Sequence, residues 1–383
     1  SYIADFYNLP ILEPLTQILG LSVFVTSLGS IHHTLLIKKL DFKKPMKISA
    51  ATTIISGACT VWLASNGYGV WALVAQNLVS CSVTTILLWV LSDWRPRWVF
   101  SLASVRRLFG FGGYLMVAGL LDTVYNRLYT LLIGKLYGVR ELGLYNRAEN
   151  TKQIPVEALS GMLSKIAFPI FSQAAEDKDK LRRGVRFAIR GIMLVNIPMM
   201  LGLLITAESI IEVVYGEKWI PAVPILQILC LGGLLWPLHI INLNVLKAQG
   251  HSHLFFRLEI LKKTIGTALL LGAAQYGAIG IAWSQVIFSL IAFFINAYYT
   301  RVYLDYGPFA QIWDIMPVVI TSLGMGTLVY QIEQYDFSSA SMMLGSQVAA
   351  GTVVFILVCQ LFKVRAFIEV RSLVMQGLGN SKR

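Results

Sequence analysis

Charge is what this sequence has least of. Only 14% of its 383 residues are Asp, Glu, Lys or Arg, where a soluble domain carries about 25%. Hydrophobic residues make up 56%, and the mean hydropathy is +0.65. That leaves too little polar surface to cover a water-soluble particle of this size, which excludes a soluble enzyme and points to an integral membrane protein. Cysteine is scarce as well. Cys59, Cys81, Cys230 and Cys359 all lie inside apolar runs without CxxC spacing, so they read as small buried hydrophobes and not as disulfides or metal ligands. His251 and His253 have no further ligands beside them, and no metal site is expected. There is no GxxxxGK[ST] loop, and "FGFGG" (109–113) does not complete one; without a nucleotide site, transport draws on an ion gradient or the membrane potential, or simply equilibrates. No Ser/His/Asp arrangement is visible, no connection is long enough for a soluble catalytic domain, and no cofactor is expected.

What the chain has is apolar segments of membrane length. A helix rises 1.5 Å per residue and needs about 20 residues to cross the hydrocarbon core. Eleven segments qualify: 11–33, 46–65, 69–91, 109–134, 152–171, 188–206, 223–246, 258–275, 278–299, 312–330 and 341–362. They are separated by turns such as "NGYG" (66–69) and charged stretches such as "KKLDFKK" (38–44). The fold class expected is therefore an all-α integral membrane protein. The chain opens on Ser1, with neither an initiator Met nor a signal peptide, and we expect the N-terminal part of a longer protein to precede it.

The basic residues fix an orientation. Taking alternate connections as one side, 38–47, 92–107, 172–190, 247–263, 300–315 and the tail hold 25 of the 32 lysines and arginines. The other side holds five: Lys135, Arg140, Arg147, Lys152 and Lys218, with 135–151 as its longest loop. Cytoplasmic connections are the basic ones, so the C-terminus is expected in the cytoplasm. The net charge of +12 then reflects topology and contact with anionic membrane lipids, and no nucleic-acid partner is needed.

The chain also repeats itself. "PLTQILGL" (14–21) returns as "PILQILCL" (224–231), and "GYGVWALVAQNLV" (67–79) parallels "YGAIGIAWSQVIF" (276–288), with Gln76 matching Gln285. Three consecutive helices thus recur about 210 residues on, in the same direction, as in transporters built from parallel repeats. The second copy is preceded by three helices and the first by none. We therefore expect two pseudo-symmetric six-helix bundles plus a C-terminal helix pair, with about three helices ahead of residue 1. The corresponding division is 1–104 (the remainder of the N-terminal bundle), 105–303 (the C-terminal bundle) and 304–383 (the helix pair and tail).

A charge at the bilayer centre costs about 2.5–3.5 kcal/mol on insertion scales, so such residues face a protein or aqueous interior. Asp122 and Arg127 lie within "YLMVAGLLDTVYNRLYTLLIG", and Lys165 within "ALSGMLSKIAFPIF". Arg147 and Lys152 flank the outer entry to the latter helix, and Lys135 ends the one before. In one reading Asp122 and Arg127 neutralise each other or a neighbour while Lys135, Arg147 and Lys152 snorkel to the interface. In the other, Arg127 and Lys165 face a cationic cavity suited to an anionic headgroup such as a diphosphate. Asp122 then serves as their charge partner or in ion coupling. Nearby Tyr114, Tyr125 and Tyr129 either stack on sugars or form an interfacial belt, to which Tyr145 belongs.

"NGYGVWALVAQNL", "LYTLLIGKLYGVRELGLYNRAENTKQIP" and "IAFPIFSQAAEDKDKLRRG" resemble the polysaccharide transport branch of the multidrug/oligosaccharidyl-lipid/polysaccharide exporter superfamily. Within it the chain is similar to Wzx-type flippases of the colanic-acid exporter group. The likeness runs nearly the whole length and is most specific from Leu128 to Pro155, in "IGKLYG" and "LGLYNRA". The resemblance implies about fourteen helices, two bundles and a terminal pair. It implies translocation of undecaprenyl-diphosphate-linked oligosaccharide across the bacterial inner membrane for O-antigen, capsule or exopolysaccharide synthesis, with a polysaccharide polymerase and chain-length machinery as partners. It also implies cationic residues in a central cavity, for which this chain offers Arg127 and Lys165, with Arg147 and Lys152 at the outer rim. A cation-coupled drug or small-molecule exporter of the same superfamily is the alternative. An oligosaccharide polymerase is disfavoured by the lack of a large external loop.

Overall fold

Each of the eleven apolar segments falls on helix in the computed structural model, which describes residues 2–38, 43–96, 101–174, 176–250, 252–332 and 339–380. In chain order the helices are α1 (Tyr2–Tyr7), α2 (Leu12–Lys38), α3 (Lys43–Ser65), α4 (Val70–Leu91), α5 (Leu102–Gln173), α6 (Lys178–Ile205) and α7 (Ala207–Tyr215). They continue with α8 (Val223–Gly233), α9 (Trp236–Ala248), α10 (Ser252–Ala273), α11 (Gly277–Leu304), α12 (Pro308–Ile332), α13 (Ala340–Leu361) and α14 (Arg365–Asn380). Among the described residues there is no strand. Among the described residues eight helical stretches are long and apolar enough to cross a membrane, and the 51-residue stretch Leu254–Leu304 contains two passes, α10 and α11. The protein is an all-α, multi-pass membrane protein.

Three stretches expected as connections are helical instead. The outer connection 135–151 belongs to the 72-residue α5, broken once, at Gly138 (φ 83, ψ −179). The basic segment 172–190 enters α6 at Lys178, because the Asp177 side chain accepts the Lys180 N–H at 2.9 Å and caps the helix, a contribution of about 1 kcal/mol. Leu181, Val185 and Ile189 are all buried. With that i, i+4, i+8 spacing they form one apolar stripe, and Arg183 between them is exposed. The tail forms α14. The expected span 223–246 is divided into α8 and α9 at Leu234 and Leu235, just before Pro237.

The chain forms two compact units, Ser1–Leu120 and Leu121–Arg383. In the first, α4 packs against both α2 and α3. Gly29 lets α2 approach α4 closely: a Cβ there would stand 3.2 Å from both Leu88 Cδ1 and Thr85 Oγ1. Small residues at such contacts let helices pack where lipid leaves no hydrophobic drive between them. Polar contacts reinforce the approach. Thr85 Oγ1 donates to the Val25 carbonyl at 3.1 Å, Trp89 Nε1 to the Leu28 carbonyl at 3.0 Å, and Thr52 and Thr84 pair at 3.1 Å. Val23, Phe24, Ile54 and Trp62 are exposed, as the lipid face of such helices should be.

In the second unit α6 packs against α8, α9 and α12, and α11 against α8, α9 and α10. Two clusters of buried side chains fill it. One centres on Leu181, Ile189, Met193, Ile197, Leu238 and Phe293. The other holds Ile133, Tyr145, Ile211, Leu226, Cys230 and Ile281. A buried polar network ties α9, α11 and α12 together: Gln311 Nε2 donates to Asn242 Oδ1 at 2.8 Å, Asn242 Nδ2 to Gln311 Oε1 at 3.0 Å, and Thr300 Oγ1 to Asn242 Oδ1 at 2.7 Å.

The sequence repeat is a packing repeat too. In each unit the third helix of the repeat (α4 or α11) packs against the first (α2, or α8 with α9) and the second (α3 or α10). Pro14 and Pro224 both sit in a first helical turn, where the missing N–H costs nothing.

Candidate functional site

The stretch "LGLYNRA" (142–148) builds a polar cluster in the second unit. Helical spacing turns Leu144, Tyr145 and Ala148 into the core, where all three are buried, and leaves Arg147 on the outer side. The Arg147 guanidinium lies over the rings of Tyr215 and Trp219, 5.1 and 4.9 Å from their centroids. Such stacking holds the cation without an acidic partner. Gly143 makes room for the indole, since a Cβ there would touch Trp219 at 3.7 Å. Thr151 couples the two sides: its Oγ1 donates to the Arg147 carbonyl at 2.8 Å and pairs with the Tyr215 hydroxyl at 3.1 Å.

One turn on, Lys152 is held by both oxygens of Glu149, at 2.8 and 2.9 Å. The lysine side chain is only 11% exposed and the glutamate 30%. The lysine stem lies over Gly233, where a Cβ would meet its Cγ and Cδ at 3.8 Å. Behind the pair, Gln285 Nε2 donates to Tyr145 Oη. Tyr137, of the "IGKLYG" stretch, donates to the Ala274 carbonyl and accepts the Gly277 N–H at 2.9 Å. It thereby pins the turn between α10 and α11 onto α5.

The structure holds the two cations separately, Arg147 on the rings of Tyr215 and Trp219 and Lys152 on the carboxylate of Glu149; five residues apart on α5, they do not share one face of the helix. Arg127 is exposed on the earlier half of α5, and among the described residues its guanidinium has no partner. Lys135 is exposed as well. The side chains of Asp122 and Lys165 lie outside the described residues. The sequence does not single out Glu149, because 135–151 has the look of an outer connection; the i, i+3 spacing to Lys152 on a helix is the signal it offers. The repeat residue Gln285 reaches Tyr145, and Gln227 donates to the Leu204 carbonyl at 3.4 Å. Their counterparts Gln76 and Gln17 are exposed.

A second constellation, also in the second unit, centres on Asp314 of α12. Arg186 donates through Nε to Oδ2 at 2.6 Å and through Nη2 to Oδ1 at 2.7 Å, Arg190 Nη2 to Oδ1 at 2.6 Å, and Tyr306 Oη to Oδ2 at 2.8 Å. Arg190 Nη1 also reaches Glu369 of α14 at 3.3 Å. Burial, and then the bond to Asp314, push the Tyr306 hydroxyl well above its ordinary pKa, so it stays a donor at any physiological pH. Nearby Asp305 pairs with Lys178 at 2.6 Å, and that hydrogen bond holds its exposed carboxyl below the usual range. From the sequence, Arg186 and Arg190 counted only as cytoplasmic positive charge. Their partner stands more than a hundred residues away, and no local pattern announces it.

Residues 1–224 match the family model described as "Polysaccharide biosynthesis protein". The chain is 28% identical over 386 residues to the teichuronic acid biosynthesis protein TuaB of Bacillus subtilis, covering 98% of this chain and 78% of that one. It is 27% identical over 278 residues to the succinoglycan biosynthesis transport protein ExoT of Rhizobium meliloti, covering 72% of this chain and 55% of that one. Its fold is that of lipid II flippase MurJ in its inward closed conformation, with a TM-score of 0.72, 16% identity, and 91% of this chain and 74% of that chain covered.

Proposed function

The chain belongs to the polysaccharide biosynthesis protein family, and from that premise we propose that it carries an undecaprenyl-diphosphate-linked oligosaccharide from the inner to the outer leaflet of a bacterial inner membrane. It serves O-antigen, capsule or exopolysaccharide synthesis as a transporter, and works by alternating access. The C-terminus lies in the cytoplasm, and a polysaccharide polymerase with its chain-length machinery takes up the product. The observation that carries this reading is a pair of held cations on α5, Arg147 stacked on Tyr215 and Trp219 and Lys152 bound to Glu149. Both stand within the stretch most specific to the family, one cation against aromatic rings and the other largely buried.

The chemistry follows from charge. A diphosphate brings several acceptor oxygens and about two negative charges, and arginine meets such groups with a two-pronged hydrogen bond. Arg127 and Lys165 hold the diphosphate along α5, with Asp122 as charge partner or coupling group. At the outer rim Arg147, already desolvated on one side by Tyr215 and Trp219, needs little ordering to receive an anion, while the rings offer faces on which sugars stack. Glu149 keeps the largely buried Lys152 neutralised until a phosphate displaces it, so that the lysine is never left as a lone buried charge. Glu149→Gln removes that competitor.

Reconstitution of the full-length protein with a fluorescent lipid-linked sugar tests the reading. Loss of one charge-assisted contact is worth about 1.5–3 kcal/mol, so Arg127→Ala, Lys165→Ala and Arg147→Ala should each slow translocation by about tenfold or more. Wild-type rates in all three would rule out the cationic site. Efflux of small cationic drugs, with no polysaccharide defect on deletion, would instead identify the alternative cargo.

A further inference from the structure

The elbow between α13 and α14 carries cations that no carboxylate among the described residues neutralises. The apolar α13 ends at Leu361, and α14 begins at Arg365. The turn closes with the Val364 N–H donating to the Cys359 carbonyl at 3.0 Å and the Lys363 N–H to the Gln360 carbonyl at 3.3 Å. Lys363 takes the left-handed position of this motif, at φ 49, where glycine or asparagine is favoured. A lysine there costs about 1 kcal/mol, and strain of this kind draws attention to the side chain that keeps it. The strain gains no ion pair: among the described residues neither Lys363 nor Arg371 has an acidic partner. Glu369, the one acid of α14, is already taken by Arg190 at 3.3 Å and Arg365 at 3.0 Å.

Lys363 and Arg371 line an open pocket of about 530 Å³ with Gln360, Ser372, Phe367 and Ile368. The four α14 residues share one helix face by their i, i+3 and i+4 spacing. Val364 and Ala366, at the start of the helix, are buried against the core, which fixes the elbow. The pocket lies just beyond the last apolar residue of a membrane-length helix, the depth at which phospholipid headgroups lie.

We propose that this pocket binds the headgroup of an anionic membrane phospholipid. Lys363 and the Arg371 fork meet the phosphate oxygens, the Gln360 amide adds a donor, and Phe367 and Ile368 receive the glycerol and the start of the acyl chains. The assignment needs only that α13 crosses the membrane, so it stands or falls separately from the transport site.

The test uses the full-length protein in mixed phosphatidylcholine–phosphatidylglycerol nanodiscs, with retained lipid counted by native mass spectrometry after detergent extraction. The wild type should retain phosphatidylglycerol over phosphatidylcholine. Lys363→Gly combined with Arg371→Gln should lower that preference by about tenfold or more, since each basic residue near an anionic surface contributes on the order of a few-fold. Glycine relieves the strained backbone, so the melting temperature of the Lys363→Gly single variant should not fall, which separates lost lipid from lost fold. Arg365→Gln should keep the preference, because that guanidinium already serves Glu369. An unchanged preference in the double variant would overturn the assignment, as would an equal loss in Arg365→Gln. Displacement of the retained lipid by inorganic phosphate alone would identify a free-anion site and overturn it too.

Discussion

Asp314 accepts four hydrogen bonds from Arg186, Arg190 and Tyr306 while only 3% of its side chain is exposed. Removing one partner of such a buried set leaves uncompensated charge, at about 3–5 kcal/mol. Asp314→Ala should therefore lower the thermal stability of the detergent-solubilised protein sharply. Arg365→Ala, which breaks the Glu369 contact of a side chain that is 74% exposed, should cost less than about 1 kcal/mol. Equal shifts in the two variants would mean that the Asp314 cluster does not hold α6 to α12. At this scale the sequence showed the charges and not their partners. Arg147 and Lys152 were legible as unusual cations near a membrane span, whereas Glu149 and Asp314 look in the sequence like any other acids.

At the scale of elements, two glycines predict opposite outcomes. Gly138 breaks α5 at φ 83 and ψ −179, a region open essentially to glycine alone, at a cost of about 1–3 kcal/mol for other residues. A Cβ there meets nothing within 4 Å, so the whole effect of Gly138→Ala is backbone strain. It should destabilise the protein and disturb the helix half that carries Arg147. Gly324 lies inside α12 with equally open surroundings and ordinary helical geometry, and Gly324→Ala should stabilise by up to about 1 kcal/mol. Paired melting curves check both, and shifts of the same sign would refute the backbone argument. The eleven apolar segments gave the element positions because span length is a local property of composition. The helical identity of 135–151 and of the start of α6 was hidden. There the apolar residues come one per turn among charges, a pattern that shows only once the buried face is known.

For the whole molecule, the uneven distribution of lysine and arginine predicts a cytoplasmic C-terminus. A reporter that fluoresces only in the cytoplasm, fused after Arg383, should light up, and a periplasm-dependent phosphatase at the same point should stay inactive. The reverse pattern would invert every side assignment, the outer rim at Arg147 included. The repeat belongs to this scale as well: its glutamines and prolines were visible in the sequence, and the matching packing of α4 and α11 shows it to be architectural.

The sequence by itself determined the membrane class, the helical spans, the internal repeat and the family likeness, because each depends on composition or spacing within a few tens of residues. Only the tertiary structure decided which charges are neutralised and by what. Glu149 on Lys152, the aromatic rings on Arg147, Asp314 between two arginines and the placing of the cations at the α13–α14 elbow all depend on how helices turn and meet. The physical reason is the low dielectric of a packed membrane protein. There a charge is governed by its nearest partners, and those are brought close by the fold and not by the order of residues along the chain.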